Sequence, residues 1–572
     1  MFQNIDCEVR IDPLTRQLYA TDASMYQVAP EAVAFPRSVA QTAAVIRAAV
    51  EHGMPVVPRG AGTGLAGGAL GSGLIVNLAQ HNRQISHLNV SQRTVHVQAG
   101  VVLDQLNDYL KPHGLCFGPD VATSSRATLG GMIANNSSGA RAPIYGTTID
   151  YVVSVDVVLA DGTTATIGLD RPDLPDIRKS VHELVMQHQD AIREAFPEGL
   201  IKRWPGFGLD DYLRAAEAPA KAGSQGRSPY PPACGGGDLA KIIGGSEGTL
   251  VAITGATLSL CPMPKEKGLG IVFFSSVDEA MRATVDLLPL KPAAIEHVDR
   301  VLFDQTRNQM TFQAARAFLE LEEKPCEAFL IVEFYDSVQE RLAQLAAMKL
   351  GRRTLICANA AEMAMVWALR KTGLSLLTSR KGPAKPVAGI EDVAVRPAQL
   401  PEYVRALRHA TDALGLEVSF YGHAASGLVH VRPVIDLHRA EDIRKYRAIV
   451  EQCSKLTREF KGSFAGEHGV GIGHAELVEE HLGPELMGLL RQIKALFDPK
   501  GLMNPGKVVP TGRFKIDTHL RYGAGYEIRL PFEPVLAFAA KDESFVGNLE
   551  QCNGDGDCLK NTTAMCPTYR AT

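Results

Sequence analysis

Two histidines, His423 and His430, close the run Tyr421-Gly-His-Ala-Ala-Ser-Gly-Leu-Val-His. In one straight strand, residues seven apart face opposite ways and share no ligand. If Ala424 to Gly427 form a turn, His423 pairs with Leu428 and His430 becomes its diagonal neighbour on the same face. Two imidazoles so placed, with a carboxylate as third ligand and a position left for substrate, suit a divalent metal. Glu467, in Ala465-Gly-Glu-His-Gly-Val-Gly, is the candidate carboxylate; the adjacent His468 is expected to point elsewhere and to act as a base. Spacing alone also fits two satisfied polar residues of an ordinary sheet.

Arg370 and, fifteen residues later, Lys385 are the candidate anion holders. Arginine offers a planar fork and lysine a point charge, which together would hold a carboxylate. Three more residues of chemical interest lie late in the chain: Cys552, Cys558 and Cys566, the last followed by Pro567. Clustered thiols ending in Cys-Pro look like the start of a ferredoxin-type iron–sulfur module. A four-iron cluster takes four thiolates, so a longer chain or a partner is expected to supply the rest. The other seven cysteines are scattered singly and read as reduced thiols.

The elements that must position these groups start from Val56 to Gly73, VVPRGAGTGLAGGALGSG, with seven glycines in its last fourteen residues. Glycine permits positive φ and close approach, and successive loop amides form a concavity suited to phosphate oxygens. The stretch contains G-x-G-x-x-G at Gly62, Gly64 and Gly67, yet it runs into another strand, GLIVNL, rather than a helix. No Asp or Glu follows until Asp104. A dinucleotide fold of Rossmann type is therefore excluded. Ser38 is expected to cap a helix with Val39, Ala43, Ile46 and Val50 on one stripe, and Leu103, Leu106 and Leu110 to line another. A second small-residue segment, Gly118 to Gly146, is too long for a simple connection. Asp161-Gly162 marks a hairpin, residues 169–237 read as an insertion, and Gly244 to Leu250 form a third glycine motif before a strand.

The 572 residues carry a net charge of −4 without a Lys/Arg-dense block, which gives no electrostatic reason to expect nucleic acid. No run of eighteen apolar residues and no signal-peptide pattern is present, so no membrane span and a cytoplasmic location are expected. From Leu269 to about Phe497 strands and helices alternate, which suggests an antiparallel sheet with helices on one face.

Over about residues 28 to 265 the ordered set PRGAGTGLAGG, VQAGV, FGPD, TLGGMIANNSSGA, YG and GGSEGTLVAIT resembles the flavin-binding domain of the vanillyl-alcohol oxidase and p-cresol methylhydroxylase (PCMH) flavoproteins. The later region resembles the FAD-linked oxidase C-terminal domain of D-2-hydroxy-acid dehydrogenases. The fold implied is α+β: a PCMH-type two-subdomain FAD-binding domain over 1–265, a ferredoxin-like antiparallel substrate domain over 266–510, and a linker with the start of the iron–sulfur module over 511–572. The resemblance implies FAD on Pro58, Arg59, Gly60, Ala61, Gly62, Thr63, Gly64, Leu65, Pro119, Asp120, Thr128, Gly130, Gly131, Ser138, Gly139, Glu247, Gly248 and Ile253, with Asn504 of Asn-Pro-Gly-Lys meeting the ring. His96 and His113 are candidates for a covalent tether in principle only.

It further implies zinc or manganese on His423, His430 and Glu467, and a substrate carboxylate on Arg370 and Lys385. This sequence has Ala-Ser-Gly-Leu where the related dehydrogenases have G-D-G-N between the histidines, and Leu374 where they often place threonine. The implied activity is oxidation of a D-2-hydroxy acid, D-2-hydroxyglutarate before D-lactate, with hydride passing to FAD and electrons leaving through iron–sulfur centres or another acceptor. Two further readings stand beside it: a transferase like alkyl-dihydroxyacetone-phosphate synthase, and a flavin-holding electron-transfer subunit. A homo-oligomer is compatible with all three.

Overall fold

The computed structural model describes residues 1–169, 171–202, 206–217, 238–373, 377, 380–390, 392–536, 538–552 and 554. Three sheets carry the architecture. The first orders Glu8–Arg10, Ala32–Phe35, Leu74–Asn77 and Val56–Arg59, the last three strands parallel. Ser38 caps helix Val39–Glu51 by accepting from the Gln41 amide, and the helix buries Ala43, Ile46 and Val50 against this sheet while Val39 stays outside. Parallel neighbours usually need a helical crossover. Between Val56–Arg59 and Leu74–Asn77 the crossover is residues 60–73, the glycine-rich loop itself, with no helix in it.

The second sheet is antiparallel, in the order Ile85–Asn89, Thr94–Gln98, Ala252–Ser259, Val152–Val158 and Thr164–Gly168. Its last two strands form the hairpin expected at Asp161-Gly162, with Gly162 at φ 81°. Helix Leu103–Leu110 buries the three leucines read from the sequence. The stretch read as an insertion folds into helices Pro175–Gln187, Gln189–Ala195 and Leu209–Glu217, and packs on helix Val478–Phe497.

The third sheet runs Arg353–Ile356, Gly268–Phe274, Ala328–Phe334, Ala294–Asp299, Val418–His423, Leu428–Ile435 and Lys385–Pro386, all antiparallel. Helices were expected on one face only. Instead every residue of Gly268–Phe274 and Ala328–Phe334 is buried, because both faces are covered. Leu269, Ile271 and Phe273 meet Leu302, Val366 and Leu369, whereas Val272 and Phe274 belong with Ala280, Met281 and Leu407 in the large core shared with the second sheet. A strand covered on both sides reads as a continuous apolar run rather than an alternation. Among the described residues no helix is long and apolar enough to cross a membrane.

Strand Ala294–Asp299 carries two adjacent polar residues on opposite faces. Glu296 lines the cleft described below, while both ring nitrogens of His297 are buried without a hydrogen-bond partner among the described residues. Burial, with Arg370 nearby, pushes the His297 pKa down to about 3. The folded state therefore demands the neutral ring: its contribution is intact above the ordinary value of 6.5 and is lost as pH falls toward 3. His297→Leu should lose less stability on acidification, by up to about 1.4 kcal/mol per pH unit below 6.5, in denaturant titrations at pH 7 and pH 5. Parallel losses in both proteins would refute the assignment.

Candidate active site

Strands Val418–His423 and Leu428–Ile435 form a hairpin closed by a short helical turn at Ala424–Ser426 and by Gly427 at φ 72°. The register sets Tyr421 opposite His430, so His430 and His423 share a face; their ring centroids are 5.3 Å apart. Glu467 Oε1 lies 3.2 Å from His423 Nε2 and 3.5 Å from His430 Nε2. His468 was expected to point away. It stacks on His430 at 5.3 Å and 8°, with Nε2 3.7 Å from Glu467 Oε1. The alternation rule fails here because Glu467-His468 is a turn: both amides donate to Asp392 Oδ2, at 2.8 and 2.6 Å, which curls the backbone.

Three residues that the sequence did not single out hold this cluster. Lys202 Nζ, fully buried, donates to Glu467 Oε2 at 2.6 Å, to Ser138 Oγ at 2.8 Å and to the Gly139 carbonyl at 3.0 Å. Burial alone would raise the Glu467 pKa, but Lys202 and His423 outweigh it and hold the carboxyl well below its ordinary value. Glu296 accepts from His423 Nδ1 at 2.8 Å and pairs with Arg370 Nη2 at 2.6 Å, so it turns His423 Nε2 toward Glu467 and anchors the arginine. Asp392 is fully buried, and burial beside Glu467 lifts its pKa to about 6.

Asp392, His430, Glu467 and His468 each offer a ligand atom, all within 4.8 Å of one another. The mix of imidazole nitrogen and carboxylate oxygen suits zinc or manganese. The donor set fits a divalent cation, with His423 Nε2 facing the same carboxylate oxygen.

This cluster and the glycine-rich loop line the same cleft. The amides of Gly60 to Leu65 donate to no acceptor among the described residues. A side chain at Gly64 would meet only Asn135 Nδ2, at 3.7 Å, and Thr128 Oγ1 is buried without a partner. Unclaimed donors and space for a flat, anionic group fit a flavin dinucleotide. Arg59 serves differently: its guanidinium donates to the carbonyls of Tyr19, Thr21 and Ala69, bracing the loop from behind.

Residues 30–168 match the FAD-binding domain family, and residues 263–508 match the C-terminal domain of FAD-linked oxidases. The chain thus combines an FAD-binding domain with a C-terminal domain of the FAD-linked oxidase type. D-2-hydroxyglutarate dehydrogenase of Haemophilus influenzae is 31% identical over 600 residues, which cover 99% of this chain and 56% of that protein. D-lactate dehydrogenase of Archaeoglobus fulgidus is 29% identical over 501 residues, 86% of this chain and 95% of the relative. The chain thus spans about half the length of the D-2-hydroxyglutarate dehydrogenases that it matches. Substrate-bound p-cresol methylhydroxylase shares the fold with a TM-score of 0.62 at 14% identity, over 88% of this chain and 94% of that one.

In this chain the residues read for FAD line the cleft, except Pro119 and Asn504. Asn504 Nδ2 donates instead to the carbonyls of Gly68 and Glu247, at 3.0 and 2.6 Å, because residues 502–504 dock as an edge beside Val56. Asp120 is claimed by Arg141 at 2.6 Å. Arg370 lines the cleft, and among the described residues its Nε has no hydrogen-bond partner. Lys385 does not join it: its ammonium donates to the Arg380 carbonyl and, at 2.8 Å, to Gln551 Oε1, in a second cavity. Cys552 is an exposed thiol at that cavity; Leu374, Cys558 and Cys566 lie outside the described residues.

Two outcomes test the site. Gly64→Val should fill the bare face of the loop and weaken FAD reconstitution at least about tenfold by flavin fluorescence, with the melting temperature of the apoprotein unchanged. Lys202→Met strips a buried carboxylate of its counter-charge and should cost about 3–5 kcal/mol in chemical denaturation. The double variant with Glu467→Gln should recover a large part of that loss, and strict additivity would exclude the pairing.

Proposed function

We propose that this chain oxidises a D-2-hydroxy acid to the 2-oxo acid, D-2-hydroxyglutarate before D-lactate. The observation that carries the reading is the convergence of His423, His430, Glu467, His468 and Arg370 on the cleft that the glycine-rich loop also lines. The names of the two relatives support this substrate class.

Arg370, which lines the cleft, receives the substrate carboxylate, and Glu296 fixes one end of its fork. His423, His430 and Glu467 would hold a divalent cation, zinc or manganese, which would supply Lewis acidity toward the substrate hydroxyl. Lys202 keeps Glu467 ionised, and Glu296 keeps His423 Nε2 as the inward nitrogen. His468 Nε2 takes the hydroxyl proton. FAD, when bound, supplies the acceptor for the hydride from C2. His423, His430 and Glu467 are all buried, which keeps bulk water from the reacting carbon. The iron–sulfur module read from Cys552, Cys558 and Cys566 is the proposed outlet for electrons, supported by the spacing of those thiols.

His468→Ala should retain FAD but bleach with D-2-hydroxyglutarate about 10²- to 10⁴-fold more slowly in anaerobic stopped flow. Bleaching at the wild-type rate would overturn the assignment of the base. Failure of the wild-type protein to bleach with any D-2-hydroxy acid would overturn the function.

A further inference from the structure

Cys116 and Cys261 are 145 residues apart in sequence and read there as isolated thiols, yet the fold sets them side by side. Strands Leu115–Cys116 and Cys261–Pro262 pair antiparallel, with Cys261 directly opposite Cys116. Their Sγ atoms are 3.6 Å apart, and the Cys261 thiol also reaches the Cys116 carbonyl at 3.4 Å. Directly opposed residues of an antiparallel pair have Cα atoms about 4.5 or 5.5 Å apart. Both values fall in the range of about 4.4–6.8 Å that a disulfide spans, so closing the sulfurs to bonding distance needs side-chain rotation and no movement of the strands. The two thiols differ in access: Cys116 is half-buried, whereas Cys261 is 1% exposed. The mechanism above uses neither.

The surroundings give the two thiols different roles. The hydrogen bond from Cys261, with the Lys267 ammonium adding to it, lowers the pKa of Cys116 against its burial. The same hydrogen bond, with burial, raises that of Cys261. A small disulfide therefore meets a thiolate at Cys116, the thiol that solvent reaches, and capping that sulfur removes the neighbour that held Cys261 protonated. The position is a joint of the molecule. The residues that match the C-terminal domain of FAD-linked oxidases begin at Met263, one past the second strand, and the Met263 amide donates to the Gly114 carbonyl. Four residues after Cys116, Asp120 lines the cleft and pairs with Arg141, whose fork also grips Glu333 of the third sheet at 2.7 and 3.1 Å. Two strands of two residues each hold such a joint weakly by themselves.

We propose that Cys116 and Cys261 are a redox site that closes into a reversible disulfide by exchange with a small-molecule disulfide of the glutathione type, and that the bond staples the joint between the flavin-binding and substrate halves. The Cys116 thiolate attacks one sulfur of the small disulfide; that S–S bond breaks, one small thiolate leaves and a mixed disulfide remains on Cys116. Cys261 gives its proton to solvent, its thiolate attacks Cys116 Sγ, and the second small thiolate leaves. Two cysteine thiols have then lost two electrons and two protons, and one small disulfide has become two small thiols. In a reducing compartment the reverse exchange reopens the bond, so the link follows the oxidation state of the surrounding thiol pool. Neither step depends on the 2-hydroxy-acid reading.

The test incubates the FAD-loaded protein with oxidised glutathione, blocks the remaining thiols by alkylation and maps the peptides by mass spectrometry. Wild-type protein should give a cross-linked pair of peptides carrying Cys116 and Cys261, two hydrogens lighter than the dithiol form and reopened by dithiothreitol. Its melting temperature should rise by at least about 2 °C on oxidation, since the bond constrains the unfolded chain. Cys261→Ser should trap glutathione on Cys116, Cys116→Ser should leave Cys261 unmodified over the same period, and neither variant should show the rise in melting temperature. Flavin content checks that each variant is folded; if one is not, the peptide map of the wild type still decides the pairing. Alkylation of both residues in oxidised wild-type protein, or pairing of either with another cysteine, overturns the site. Glutathione reaching Cys261 in Cys116→Ser as fast as it reaches Cys116 in Cys261→Ser overturns the order of attack, and a cross-link without a rise in melting temperature overturns the staple.

Discussion

The structure depends on a sorting of backbone polarity in the glycine-rich loop. Residues 60–73 connect two parallel strands without regular structure, so their amides and carbonyls must find partners elsewhere. The carbonyls are taken from behind. Arg59 donates to the Ala69 carbonyl, Lys507 to those of Gly68 and Leu70, Asn504 to that of Gly68, and the amides of Ile472 and Gly473 to that of Ala66. The amides from Gly60 to Leu65 are left for the cleft. A loop with its acceptors satisfied on one side and its donors presented on the other is an anion receptor, and the residues that make it so come from both ends of the chain. Burial of Lys507 lowers its pKa to about 7, and Glu247, which accepts from the Val470 and Gly471 amides, has its own pKa raised to about 7 by burial. The loop, the third glycine motif and the segment after His468 are thereby packed as one unit.

That packing sets where the chemistry sits. Glu467 and His468 lie two to four residues before the segment held by Glu247, and Lys202 ties Glu467 to Ser138 and Gly139. The carboxylate is consequently fixed from the flavin-binding half by Lys202 and from the substrate sheet by the two histidines. A charge buried this deeply is tolerated only when paired. The same ion pair that satisfies electrostatics also fixes the distance between the two halves of the cleft.

Legibility from the sequence followed the range of the interactions. The glycine-rich loop, the Ser38 cap, the Asp161-Gly162 hairpin and the His423–His430 register are local patterns, and each is where turn chemistry and periodicity place it. The pairing of His423 with His430 was readable because Gly427 supplies the one left-handed residue that the turn needs. Lys202, Glu296 and Asp392 were not readable: their partners lie 265, 127 and 75 residues away, and nothing in their neighbouring sequence marks them. Lys202 lay moreover inside the stretch 169–237, read as an insertion. Arg370 and Lys385 looked like one clamp because a planar fork and a point charge suit one carboxylate and because the pair resembles that of the related dehydrogenases. Yet one ends a helix and the other starts an edge strand, so sequence separation carried no information about direction. Asn504 was read as a ligand of the cofactor because its element returns to the flavin domain; it returns to the loop's backbone instead.

The hairpin explains why a sheet, rather than a loop, carries the site. On adjacent antiparallel strands the positions of His423 and His430 are fixed by the hydrogen-bond ladder, and a slip of one residue would send one ring to the opposite face. The ladder is reinforced on both sides: strand Ala294–Asp299 pairs with Val418–His423 and sets Glu296 opposite His423, while Val393–Ala394 pairs with Leu428–Ile435 and brings Asp392 beneath the Glu467 turn. The strands that fix the register therefore also place the two carboxylates that hold His423 and the Glu467 turn. Register, tautomer and turn geometry are one constraint here, so a substitution that loosened any strand of this ladder would disturb His423, Glu467 and Arg370 together.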